Sequence, residues 1–82
     1  MNKNIAEKTS ILALQISGKL TNQLCDIENE CSEDEFKLFR NRIARVLAEI
    51  LTEIMNPIYN EHPDLKPKEL GGNYIIDPEI YK

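Results

Sequence analysis

The sequence predicts an all-α fold: an antiparallel hairpin of two long helices with a short proline-rich C-terminal segment packed back on it. Three observations predict it. Apolar residues recur at helical spacing from Ile5 to Cys31 and again from Phe36 to Ile58. Between these runs, Cys31-Ser32-Glu33-Asp34-Glu35-Phe36 spells a helix start. The first 56 residues contain no proline, and the last 26 contain Pro57, Pro63, Pro67 and Pro78. The chain is expected to be one domain, residues 1–82. Helix 1 covers about 3–30, helix 2 about 33–60 and the C-terminal segment about 61–82.

On a wheel of about 100° per residue, Ile5, Leu12, Ala13, Ile16, Leu20, Leu24, Ile27 and Cys31 share one face of helix 1. A second, weaker seam lies on its other side: Ile11, Leu14, Gly18, Thr21 and Cys25. Small residues at Gly18 and Thr21 would admit another backbone, so this seam is a candidate dimer contact. Its alternative is a pair of ordinary exposed aliphatics, Ile11 and Leu14.

At the corner, Ser32 can cap the first free N–H groups, and Glu35 can reach back to the cap. Cys31 and Phe36 occupy the positions of a hydrophobic staple.

In helix 2, Phe36, Phe39, Ile43, Val46, Leu47, Ile50, Leu51, Ile54 and Ile58 share a face, with Ala44 and Met55 at its edge. That face is about 180° wide, more than one partner helix covers. The surplus is expected to be covered by the C-terminal segment, a target protein or a second copy. Two copies are expected to pair as a dimeric four-helix bundle. Arg40 falls inside this face, making it a candidate buried ion pair or anion site. The plainer alternative is a stem packed on apolar surface with its head in water.

Pro57 should kink or end helix 2, since it lacks an N–H and clashes with the preceding turn. Lys66 to Gly72 reads as a short helical turn, with Pro67 early and Gly71 as a candidate C′ residue. Leu65, Leu70, Tyr74, Ile75, Ile76, Ile80 and Tyr81 make the segment too apolar for a linker. It is expected to pack back on the helices, over the spare width of helix 2.

Composition narrows the function. A net charge of −4 argues against nucleic-acid binding, which needs surplus Lys and Arg on one face. No run reaches membrane-span length, and no secretory leader pattern opens the sequence. Two cysteines suit a reducing compartment, so a cytoplasmic location is expected. Cys25 and Cys31 would project about 240° apart on one helix, a poor disulfide geometry. Their spacing is not that of a zinc or redox pair. His62, the single histidine, sits beside Glu61 and Asp64 without a second cluster to complete a metal site. No metal, cofactor or catalytic set is expected.

The expected function is therefore non-catalytic: a small protein acting through protein–protein interaction as an adaptor, regulator or inhibitor, the immunity type included. Candidate partner contacts are the acidic corner residues Glu28, Glu30, Glu33 and Asp34, together with Tyr74 and Tyr81. Those acids also suit the dipole at the start of helix 2. The alternative is a small helical dimeric enzyme or anion-binding protein with Arg40, His62 and Glu61 in an intersubunit pocket. Against it, helix 1 has no arginine.

Overall fold

The structure, a computed structural model, describes residues 1–81. Helix α1 spans Lys3–Glu30. Its N-cap is Asn2, whose Oδ1 accepts from the Ile5 N–H at 2.9 Å. The chain reverses through Cys31 and Ser32, both extended. Helix α2, Glu33–Glu49, starts at Ser32, whose Oγ accepts from the Glu35 N–H at 3.2 Å. Glu35 does not close the reciprocal half on the cap's backbone: its Oε1 accepts instead from the Ser32 hydroxyl at 3.1 Å. Lys37 pairs with Glu33 one turn back at 3.2 Å.

The second long helix does not stop at Pro57. A π-helical turn, Ile50–Met55, links α2 to a short helix α3, Asn56–Glu61. The Asn56 N–H donates to the Leu51 carbonyl, five residues back. This wider turn accommodates the proline that would clash in α geometry. It also changes the phase of what precedes it. On the straight wheel Ile54 lies central and Met55 at the edge. In the structure Met55 is buried and Ile54 exposed, because the π turn takes more residues per turn.

The hairpin closes on one edge of the broad apolar face of α1: Ala13 is buried and Leu20, Leu24 and Ile27 are half-buried, while Ile5, Leu12, Ile16 and Cys31 are exposed. The buried residues of α1 are Ala6, Ser10 and Ala13, spaced four and three apart on one stripe. Their small side chains let Met55, Ile58 and Tyr59 pack closely. The Tyr59 and Ser10 hydroxyls share a buried hydrogen bond of 2.6 Å, so the stripe's one polar group is satisfied. Burial pushes the Tyr59 phenol above its ordinary value of 10.0, with the Ser10 hydrogen bond pulling the other way. The core thus sits at the end of the hairpin away from the corner. Helix α2 itself buries no residue.

After α3 the chain forms an arm. Short 3₁₀ turns at Pro63–Leu65 and Lys68–Leu70 lead into a loop closed by backbone bonds between Lys66, Lys68 and Tyr74. Gly71 is left-handed (φ +92°), and a Cβ on Gly72 would lie 2.0 Å from the Lys66 carbonyl oxygen, so both glycines are required there. A last turn, Pro78–Tyr81, reaches back to α1. The arm covers the groove between α1 and the second long helix rather than the spare width of helix 2 alone.

The N-terminus is tied to the far end of α3. Its ammonium contacts Glu61 Oε1 at 2.8 Å, His62 Nε2 lies 2.9 Å from the Met1 carbonyl oxygen, and Lys3 pairs with Asp64. The ammonium holds Glu61 below the usual carboxylate range, and Lys3 does the same for Asp64. Lowered carboxylate values stabilise the fold above the ordinary pKa and stop doing so as pH falls through the lowered ones. The thermal midpoint is expected to fall modestly on acidification below about pH 4, and less in high salt, since these groups are exposed. An unchanged midpoint in low salt would show that the clamp contributes nothing.

Candidate interaction surfaces

Three surfaces were singled out by sequence, and the structure separates them. Glu28, Glu30, Glu33 and Asp34 are all exposed at the hairpin corner, at the opposite end from the core. Two of the corner acids already have local work: Glu33 pairs with Lys37, and Glu35 engages the Ser32 cap.

Tyr74 and Tyr81 have different surroundings. Tyr74 is half-buried and donates to Glu7 Oε2 at 3.1 Å, which ties the arm to α1. Burial and the neighbouring Glu7 carboxylate both raise its phenol. Tyr81 lays its ring on Gly18: a Cβ there would come within 2.9 Å of Tyr81 Cδ1. Gln15 Nε2 donates to the Ile80 carbonyl at 2.9 Å beside it. Gly18→Ala is expected to displace the Tyr81 ring and loosen the arm. Limited proteolysis should then cut the arm faster, whereas an unchanged cleavage rate would show that the ring gives way without cost.

The α1 seam of Ile11, Leu14, Gly18, Thr21 and Cys25 lies on this arm side. Leu14 and Gly18 face Tyr81, Ile11 is half-buried, and the Thr21 hydroxyl donates to the Ser17 carbonyl. Cys25 and Cys31 are both free and exposed. Cys31 is thus not the buried apolar residue its wheel position suggests.

Arg40 is not buried. It is exposed, with its guanidinium 5.7 Å from the centre of the Phe36 ring, a cation–π stack at the corner end of α2. The wheel angle alone cannot register that α1 covers Phe36 in part and leaves Arg40 in the open. His62 and Glu61 are spent on the N-terminal clamp, 3.1 Å apart, far along the chain from Arg40. Among the described residues no cluster of three metal-ligating side chains exists. No helix among the described residues is long and apolar enough to cross a membrane.

The surface that sequence located only in part is the flank opposite the arm: the surplus width of helix 2 was expected to need cover, but the α1 half was not placed beside it. On α1, Leu12 and Ile16 lie about 200° round from the arm-covered Leu14 and Gly18. On α2, Val46 lies about 100° from Leu47, which faces the arm. Ile5, Leu12, Ile16, Phe39, Val46 and Ile54 are each 39–55% exposed along this flank. Val46, Ile50 and Ile54 form a shallow depression of about 360 Å³, rimmed by Arg45, Glu49 and Glu53. The available signal was the small-residue stripe Ala6-Ser10-Ala13. Once that stripe takes the second helix, the larger aliphatics of α1 must face elsewhere.

No protein-family model matches this chain, and neither the curated proteins nor the solved structures contain a significant match.

Proposed function

We propose that the protein is non-catalytic and acts by binding proteins, as a hairpin that pairs with its own copy into a four-helix bundle. It would serve as an adaptor, regulator or inhibitor, the immunity type included. The observation that carries this reading is the half-open apolar flank running along both long helices on the face away from the arm. Large contiguous apolar patches rimmed by polar residues mark contact surfaces, and Arg45, Glu49 and Glu53 rim this one on helix 2.

A second hairpin laid on the flank brings four long helices together, the arrangement in which such strips are buried. The monomer core supports the same reading. The buried hydrophobics are Ala6, Ala13, Met55, Ile58, Tyr59 and Leu65, two of them alanines. None comes from α2. A core of this size holds little stability alone, and small domains commonly gain it by association.

Pairing through the flank leaves the acidic corner with Glu28, Glu30, Glu33 and Asp34 open, where a basic partner would fit. Two exposed free thiols suit a reducing compartment, which supports a cytoplasmic setting. An enzyme with an intersubunit anion pocket finds no support in an Arg40 that stacks on Phe36 in the open.

A folded dimer in equilibrium with unfolded chains has a melting point that depends on concentration. The thermal midpoint is expected to rise steadily with protein concentration. A midpoint independent of concentration would contradict self-association. Mild oxidation separates the flank from the Gly18 seam: a seam dimer would place Cys25 against its own copy and cross-link, whereas the flank dimer holds Cys25 off the interface.

A further inference from the structure

Between the arm and the two long helices lies a cleft of about 460 Å³. It is on the opposite face from the flank, and the following proposal does not depend on self-association. We propose that this cleft binds a single aliphatic chain whose head carries no negative charge.

The walls come from every part of the fold: Leu14 from α1, Leu47 from α2, Leu51 and Met55 from the π turn, and Leu70 and Ile76 from the arm. The volume falls in the range of small-molecule sites, roughly 300–1,000 Å³. Water is poorly served there. A held water needs about two to four polar partners, and the Ser17 hydroxyl at the wall already donates to the Ala13 carbonyl at 2.8 Å. Among the described residues Glu69 is the one charged side chain lining the cleft. A carboxylate or phosphate head would therefore meet a like charge, while an amine or hydroxyl head would not. Leu14, Ser17 and Tyr81 also line a second hollow of about 370 Å³ over Gly18, Thr21 and Asn22.

The test uses the full chain and the uncharged fluorophore N-phenylnaphthylamine, displaced by dodecanol, dodecylamine or dodecanoate below their micelle concentrations. The probe should saturate at one per chain. Dodecanol and dodecylamine should displace it, with dodecanoate at least about tenfold weaker, a difference of about 1.4 kcal/mol. Glu69→Gln should narrow the gap between amine and carboxylate. Leu51→Trp and Ser17→Leu each fill the cleft and should weaken the probe at least about tenfold; using two variants guards against one misfolding, which circular dichroism would show. Lys8→Gln, an exposed position on α1 that lines neither the cleft nor the flank, should leave binding intact. Probe binding that survives both filling variants, or disappears in Lys8→Gln, would overturn the site. So would the absence of saturable binding. Equal displacement by dodecanoate and dodecanol would overturn the head-group assignment.

Discussion

Replacing either Leu12 or Val46 with glutamate is expected to split the proposed dimer into single chains. The two residues sit on different helices, yet both lie on the flank away from the arm and are about half exposed in the isolated chain. In a four-helix bundle each would be enclosed by the partner. A glutamate there must be desolvated without a partner or force the helices apart, and an unpaired buried charge costs several kcal/mol. Sedimentation should show the mass of one chain for either variant. Helical content should survive at high concentration, because the small core of Ala6, Ala13, Met55 and Tyr59 is untouched, but the melting point should drop. Ile75→Glu is the control: Ile75 is 83% exposed on the arm, so neither mass nor melting point should move. If Ile75→Glu dissociates the protein and Leu12→Glu does not, the flank is the wrong surface.

The second large effect is expected at Tyr59. Tyr59→Ala removes the largest side chain of the core and should cost about 3–5 kcal/mol. Domains commonly hold only about 5–15 kcal/mol, with small ones at the low end, so this variant should be largely unfolded when dilute. Tyr59→Phe isolates the hydroxyl. It keeps the ring but leaves Ser10 without its 2.6 Å partner, a loss of about 1–3 kcal/mol. The double variant Ser10→Ala/Tyr59→Phe should recover part of that loss, since neither group is then left unpaired. Chemical denaturation of the parent, Ser10→Ala, Tyr59→Phe and the double variant reads the cycle. Equal stability of Tyr59→Phe and the parent would show that the hydroxyl pair contributes nothing. The raised phenol adds a pH signature. A neutral tyrosine favoured by burial stabilises the fold fully below its ordinary value of 10.0, and that contribution fades as pH rises through the raised one. Tyr59→Phe should therefore show less alkaline loss than the parent.

The architecture was readable because it rests on local chemistry. Ser32 caps α2 whatever the rest of the chain does, and the proline-rich stretch could not continue a long straight helix. Two long helices packed together follow from those signals. Which faces meet was readable only in part, for two physical reasons. The wheel ranks faces by side-chain hydrophobicity, which picks out Ala13, Leu20, Leu24 and Ile27, whereas the hairpin also closes on Ala6 and Ser10, whose merit is size. The wheel also assumes a constant angle, and the π turn ahead of Pro57 breaks it, turning Met55 inward and Ile54 outward. Arg40 fails in the same way: a position on the apolar side of a helix is buried only where something covers it. The Gly18 position was singled out for close approach, and what approaches in the structure is the ring of Tyr81.

The claim that the flank pairs two copies of this chain is tested most directly by the mass of the unmodified protein in solution. Sedimentation equilibrium over a range of concentrations is expected to give twice the 9.5 kDa of the single chain. A mass of 9.5 kDa at every concentration would contradict the account and leave the flank to a different partner.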